Sequence, residues 1–127
     1  MDVEDNGFMI LETENQQTAF LHVSCTEWKN MFSLEIYGKI GKLKISGLGG
    51  SYGTEELIYY KMLPEMGPPK EEKWVFEGED LSWQKEINNF YDVIEYNKKP
   101  SITLEDALKS LEITEKIYKD NSYDYSS

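Results

Sequence analysis

Trp28-Lys29-Asn30 places an aromatic face, an ammonium and an amide on consecutive residues. That trio suits a polyol or a sugar, because the indole offers a stacking platform while the lysine and the asparagine can bond hydroxyls. The same residue types are common at sheet edges, so an ordinary surface fits them equally well. His22 is the only histidine. A general base or metal ligand needs a second histidine or an orienting carboxylate, and none stands nearby, so packing or surface exposure is the better reading. Cys25 reads as a small buried hydrophobe rather than a reactive thiol. The cluster Gly47-Leu48-Gly49-Gly50-Ser51-Tyr52-Gly53 invites comparison with a phosphate-cradling loop. Its spacing fails: G-x-G-x-x-G must open a helix, and here Tyr52 holds the third spaced position, Gly53 comes one place late, and a strand-like segment follows. No Lys-Ser or Lys-Thr completes a Walker loop. A turn or bulge using the conformational freedom of glycine is expected.

The acidic runs Glu4-Asp5, Glu55-Glu56, Glu71-Glu72 and Glu79-Asp80 lie in turns or flanking segments without paired geometry, so they read as solvated charge. With 24 acidic and 13 basic residues, the 127-residue chain carries a formal charge of −11. That field repels phosphate backbones and anionic headgroups, which argues against nucleic acid and membrane surfaces as partners. One cysteine rules out an internal disulfide framework and multi-cysteine metal sites. No apolar run approaches the roughly 20 residues of a spanning helix, and the N-terminus is acidic where a signal peptide is basic. The expected location is the cytoplasm.

The elements that must position these residues follow from periodicity. Alternation of period two marks strands through the first half. Gly7 to Glu14 and Gln17 to Trp28 flank Asn15-Gln16 as a hairpin, with Ala19, Leu21, Val23 and Cys25 on an expected buried face. Met31 to Tyr37, Lys42 to Ser46 and Glu56 to Met62 continue an antiparallel meander, and Lys73 to Glu77 is short and strand-like. Tyr37, Tyr52, Tyr59 and Tyr60 are expected to give the sheet an aromatic surface, of the kind that marks interfaces. The period then changes to about 3.6. Trp83, Ile87, Phe90 and Ile94 form one stripe, with Asp80 or Ser82 as N-cap and Lys98-Lys99-Pro100 as the stop. In a second helix Thr103 is the N-cap with Asp106 three residues on, and Leu104, Ala107, Leu108, Leu111 and Ile117 supply the apolar face. The expected fold is α+β, one domain over residues 1–119 in which an open, mainly antiparallel sheet is followed by two C-terminal helices packed on one face, then a flexible tail over 120–127.

Several strings, in order, are similar to a known family. They are Val3-Glu4-Asp5-Asn6, Leu21-His22-Val23-Ser24 leading to Trp28-Lys29-Asn30, Glu35-Ile36-Tyr37-Gly38, the glycine cluster, Glu86 to Phe90, and Pro100-Ser101 with Glu105-Asp106-Ala107-Leu108. Together, over about residues 3–119, they resemble the C-terminal part of Gfo/Idh/MocA-type NAD(P)-dependent oxidoreductases. The resemblance implies a parent enzyme with a Rossmann half that binds NAD or NADP, and a C-terminal half that shapes the pocket for a sugar, inositol or related polyol and forms a homo-oligomer through its sheet face. The Glu-Lys-Pro motif with the family's catalytic lysine, and the upstream Asp and His, are absent here. His22 and Lys29 do not match them, so no catalytic residue carries over, and no cofactor is expected on this chain alone. Trp28, Lys29 and Asn30 remain the candidate substrate contacts. The rival expectation is a stand-alone acidic module that binds another protein through its aromatic sheet face.

Overall fold

A computed structural model describes residues 4–65 and 67–120. Six strands precede two helices: β1 (Asn6–Glu12), β2 (Thr18–Ser24), β3 (Ser33–Tyr37), β4 (Gly41–Ser46), β5 (Glu55–Lys61), β6 (Lys70–Phe76), α1 (Ser82–Tyr96) and α2 (Leu104–Asp120). Every strand pairing is antiparallel. The architecture is α+β, as the change of period predicts. The strands form two sheets, a β1-β2 hairpin and a four-stranded meander in the order β3-β4-β5-β6. The chain divides at Asp80/Leu81 into two compact units, the strands in one and the helices in the other.

The hairpin turns through Glu14, Asn15 and Gln16, one residue more than the expected Asn15-Gln16. Gln16 N–H donates to the Thr13 carbonyl at 2.9 Å, Thr13 N–H donates to the Gln17 carbonyl at 2.9 Å, and Gln16 sits at φ 60°. A left-handed residue after a tight turn is the usual way to close a three-residue loop. β2 ends at Ser24, four residues before the expected Trp28. The Ser24 hydroxyl accepts the Thr26 N–H at 3.1 Å, and Asn6 Nδ2 donates to Thr26 Oγ1 at 2.9 Å. Side-chain capture of a backbone donor takes that residue out of the ladder. The expected burial of the Ala19, Leu21 and Val23 face is not found: Leu21 is 38% and Val23 57% exposed. In a two-stranded ribbon each side chain is screened only by its cross-strand and diagonal neighbours. Cys25 is likewise exposed, beyond the strand end.

In the meander, register separates two faces. Leu34, Ile45, Leu57 and Trp74 form one cross-strand row and Ile36, Leu43, Tyr59 and Glu72 the next. The opposite face carries the rows Glu35-Lys44-Ile58-Lys73 and Tyr37-Lys42-Tyr60-Glu71. The tyrosines are therefore shared between faces. β6 begins at Lys70, earlier than the expected Lys73, because Lys-Glu-Glu-Lys is poor strand sequence on propensity but suits an edge strand, where charge blocks further pairing. Among the described residues no hydrophobic side chain is fully buried.

Leu81 caps α1 without a side-chain hydrogen bond, in place of the expected Asp80 or Ser82, and Asn97 ends the helix in the left-handed conformation. α2 starts as its sequence predicts. Asp106 N–H donates to Thr103 Oγ1 at 3.3 Å, while the Asp106 carboxylate accepts from Thr103 N–H and Oγ1 at 2.9 Å each. These bonds hold the Asp106 carboxyl below its ordinary value, the backbone bond contributing most. Asp120 closes α2 rather than opening the expected tail, and 121–127 lie outside the described residues.

Candidate functional site

Trp28, Lys29 and Asn30 lie in the connector between β2 and β3. The Ser24-Thr26 turn releases the chain from the hairpin just before them, and the Trp28 indole is fully exposed. All three are consecutive and exposed, and among the described residues no hydrogen bond or ion pair joins another candidate to them. His22 stacks on Phe8 across the hairpin, centroids 4.3 Å apart and rings within 6° of parallel. This is the packing role its isolation implied.

The glycine cluster joins β4 to β5. Gly47, at φ 77°, lies so close to Thr54 that a Cβ there would fall 2.2 Å from the Thr54 carbonyl oxygen. Only glycine meets both demands. The loop is fastened by Glu55, whose Oε1 accepts the Gly49 N–H at 2.7 Å. No helix opens from it, so it lacks the strand-to-helix geometry that cradles a dinucleotide pyrophosphate. These residues do not fit the NAD(P) that the family resemblance implies.

The best-organised polar cluster is drawn from three strands and forms no contiguous motif. On the charged face of the meander, Lys42 Nζ lies 2.6 Å from Glu35 Oε2 and Lys44 Nζ 3.9 Å from Oε1, while the Tyr37 hydroxyl donates to the same carboxylate. Lys42 also sits over two rings, 4.7 Å from the Tyr37 centroid and 5.6 Å from that of Tyr60. The hydrogen bond from Lys42, then that from Tyr37, holds the Glu35 carboxyl below its ordinary value. The same Glu35 contact raises Lys42. Further along the face Lys73 pairs with Glu56 at 2.7 Å. The signal was present as alternation: Glu35 and Tyr37 against Leu34 and Ile36, Lys42 and Lys44 against Leu43 and Ile45. Joining it across strands requires the register.

Among the described residues no group of three or more His, Cys, Asp or Glu side chains is arranged to hold a metal, and no helix is long and apolar enough to cross a membrane. A family model described as the C-terminal alpha/beta domain of an oxidoreductase family matches residues 2–124. No curated protein and no solved structure matches the chain.

Proposed function

The chain belongs to the Gfo/Idh/MocA oxidoreductase family as its C-terminal α/β domain, and from that premise we propose that it binds the substrate, a sugar, inositol or related polyol, and mediates dimerisation in an NAD(P)-dependent enzyme of the cytoplasm. The family match carries the reading, because residues 2–124 take in all six strands and both helices. In this proposal NAD(P) would be held by a Rossmann half, not by this chain, and would supply the hydride chemistry there. This chain's residues bind and orient the polyol, with Trp28 stacking on its carbon face and Lys29 and Asn30 bonding its hydroxyls. The chain alone transfers no hydride.

The test is kinetic. In an enzyme carrying both halves, Trp28→Ala raises KM or lowers kcat toward a polyol, and unchanged kinetics removes the trio from the site. Light scattering across a concentration series tests the dimer, which should show twice the mass of one chain. The rival, an acidic module binding another protein, is favoured by the half-exposed Leu34, Ile36, Trp74 and Phe76 on the apolar sheet face. A strict monomer at high concentration gives it weight.

A further inference from the structure

We propose that Asn6-Gly7 is a site of self-modification, at which the Asn6 side chain closes on the Gly7 nitrogen, loses ammonia and leaves isoaspartate, at a rate set by opening of the β1-β2 hairpin at its free end.

Asn6 is the one asparagine of the chain followed by glycine. A following residue without a Cβ leaves its nitrogen open to attack and its backbone free to bend into a five-membered ring. The closed hairpin forbids that ring. Cys25 N–H donates to the Asp5 carbonyl at 2.8 Å and Thr13 N–H to the Gln17 carbonyl at 2.9 Å, so alternation along the antiparallel register makes Gly7 and Val23 a hydrogen-bonded pair as well. The Gly7 N–H is thereby committed to the ladder. The Asn6 amide is held too, its Nδ2 donating to Thr26 Oγ1 at 2.9 Å and to Asp5 Oδ1 at 3.1 Å.

Opening is easiest at this end. Asn6 and Ser24 are the outermost pair of the ladder, and among the described residues no strand of the meander packs on β1 or β2. A two-stranded ribbon without such cover is marginally stable, and its ends open first. Once the pair parts, the Gly7 amide gives its proton to hydroxide and its nitrogen bonds to Asn6 Cγ. Nδ2 takes a proton from water and departs as ammonia, leaving a succinimide. Water then opens the ring, at the Cγ carbonyl to give aspartate or at the main-chain carbonyl to give isoaspartate, whose chain runs through Cβ. The added main-chain carbon falls between the Asp5-Cys25 bond and the Gly7-Val23 pair, so the two cannot both re-form in register. The new carboxylate also stands beside that of Asp5. The product therefore holds open the end whose opening produced it.

The experiment incubates the 127-residue chain in mildly alkaline buffer, folded and in urea, and follows the gain of one mass unit by peptide mapping, with enzymatic methylation to count isoaspartate. Asn6 is expected to convert first in both, about tenfold more slowly when folded. Thr26→Val, which removes one partner of the Asn6 amide, should speed the folded chain about threefold and leave the rate in urea unchanged. In the converted chain the Cys25 amide should lose its protection from exchange while the β4 and β5 amides keep theirs. Conversion first at another asparagine, no conversion in the folded chain, or equal rates folded and in urea overturns the proposal. So does a Thr26→Val effect that persists in urea, or a Cys25 amide that stays protected after conversion to isoaspartate.

Discussion

The hairpin and the meander are both antiparallel and lie in the same compact unit, yet they are specified in different ways. The hairpin is apolar on both sides. Met9, Leu11, Leu21 and Val23 share one face and Phe8, Ile10 and Phe20 the other, and its loop closes through a glutamine in the left-handed region. The meander is apolar on one face and charged on the other, and it turns between β4 and β5 on a glycine with no room for a side chain. A one-residue slip in the meander would put Lys42 and Lys44 where Leu43 and Ile45 belong. The same slip in the hairpin exchanges one apolar set for another. Register is therefore strongly specified in the meander and weakly in the hairpin.

The largest expected effect tests the meander's turn. Gly47→Ala forces a Cβ against the Thr54 carbonyl in a backbone conformation that already disfavours it, and should destabilise the unit by about 3 kcal/mol. Gly50→Ala, also at positive φ but with nothing within 4 Å, should cost only about 1 kcal/mol. Urea denaturation of the two variants measures the gap, and equal losses would show that the close approach to Thr54 contributes nothing. For the hairpin the sign reverses. Gln16→Gly relieves the φ of 60° and should slow amide exchange across β1 and β2 by about 1 kcal/mol of local stability, reduced somewhat by the greater freedom of glycine in the unfolded chain.

This asymmetry also explains how much could be read from the sequence. In the meander, Leu34, Ile36, Leu43 and Ile45 alternate with charged or polar neighbours and share one face in the register, so that face is legible as alternation, and the glycine cluster is legible as a turn. Thr103 with Asp106 was legible as a cap because its bonds are local. Three things were not legible. The length of the hairpin loop depends on Gln16 adopting a conformation that its residue type disfavours. The end of β2 depends on a Ser24 hydroxyl competing with the ladder. The Glu35-Lys42-Tyr37-Tyr60 cluster joins residues from three strands, so no local pattern contains it, whereas Trp28-Lys29-Asn30 is contiguous in the sequence.

A smaller effect tests whether the exposed side of the hairpin contributes at all. Phe8→Ala removes the ring stacked on His22 and should cost about 0.5 kcal/mol of hairpin stability, the usual size for an exposed cross-strand pair. The meander should not respond, and equal losses of exchange protection in β4 and β5 would show that the two sheets are energetically one.

The smallest effect at neutral pH lies on the meander's charged face, where pH isolates it. Glu35 titrates below its ordinary 4.5 in the folded chain because Lys42 and Tyr37 bond its charged form. Its contribution is therefore complete above the unfolded value and is lost as pH falls through the lower folded value. Lys42 is shifted upward by the same contact, so its share is complete below its ordinary 10.5 and is lost as pH rises through the higher folded value. Both shifts describe one partly exposed ion pair, and they are not added. Glu35→Gln should leave stability near pH 7 little changed, as partly exposed pairs contribute little, but should flatten the acid limb below pH 4.5 in the exchange of β3 and β4 amides. An unaltered acid limb would mean that Glu35 is as well solvated folded as unfolded and that its bonds to Lys42 and Tyr37 contribute nothing.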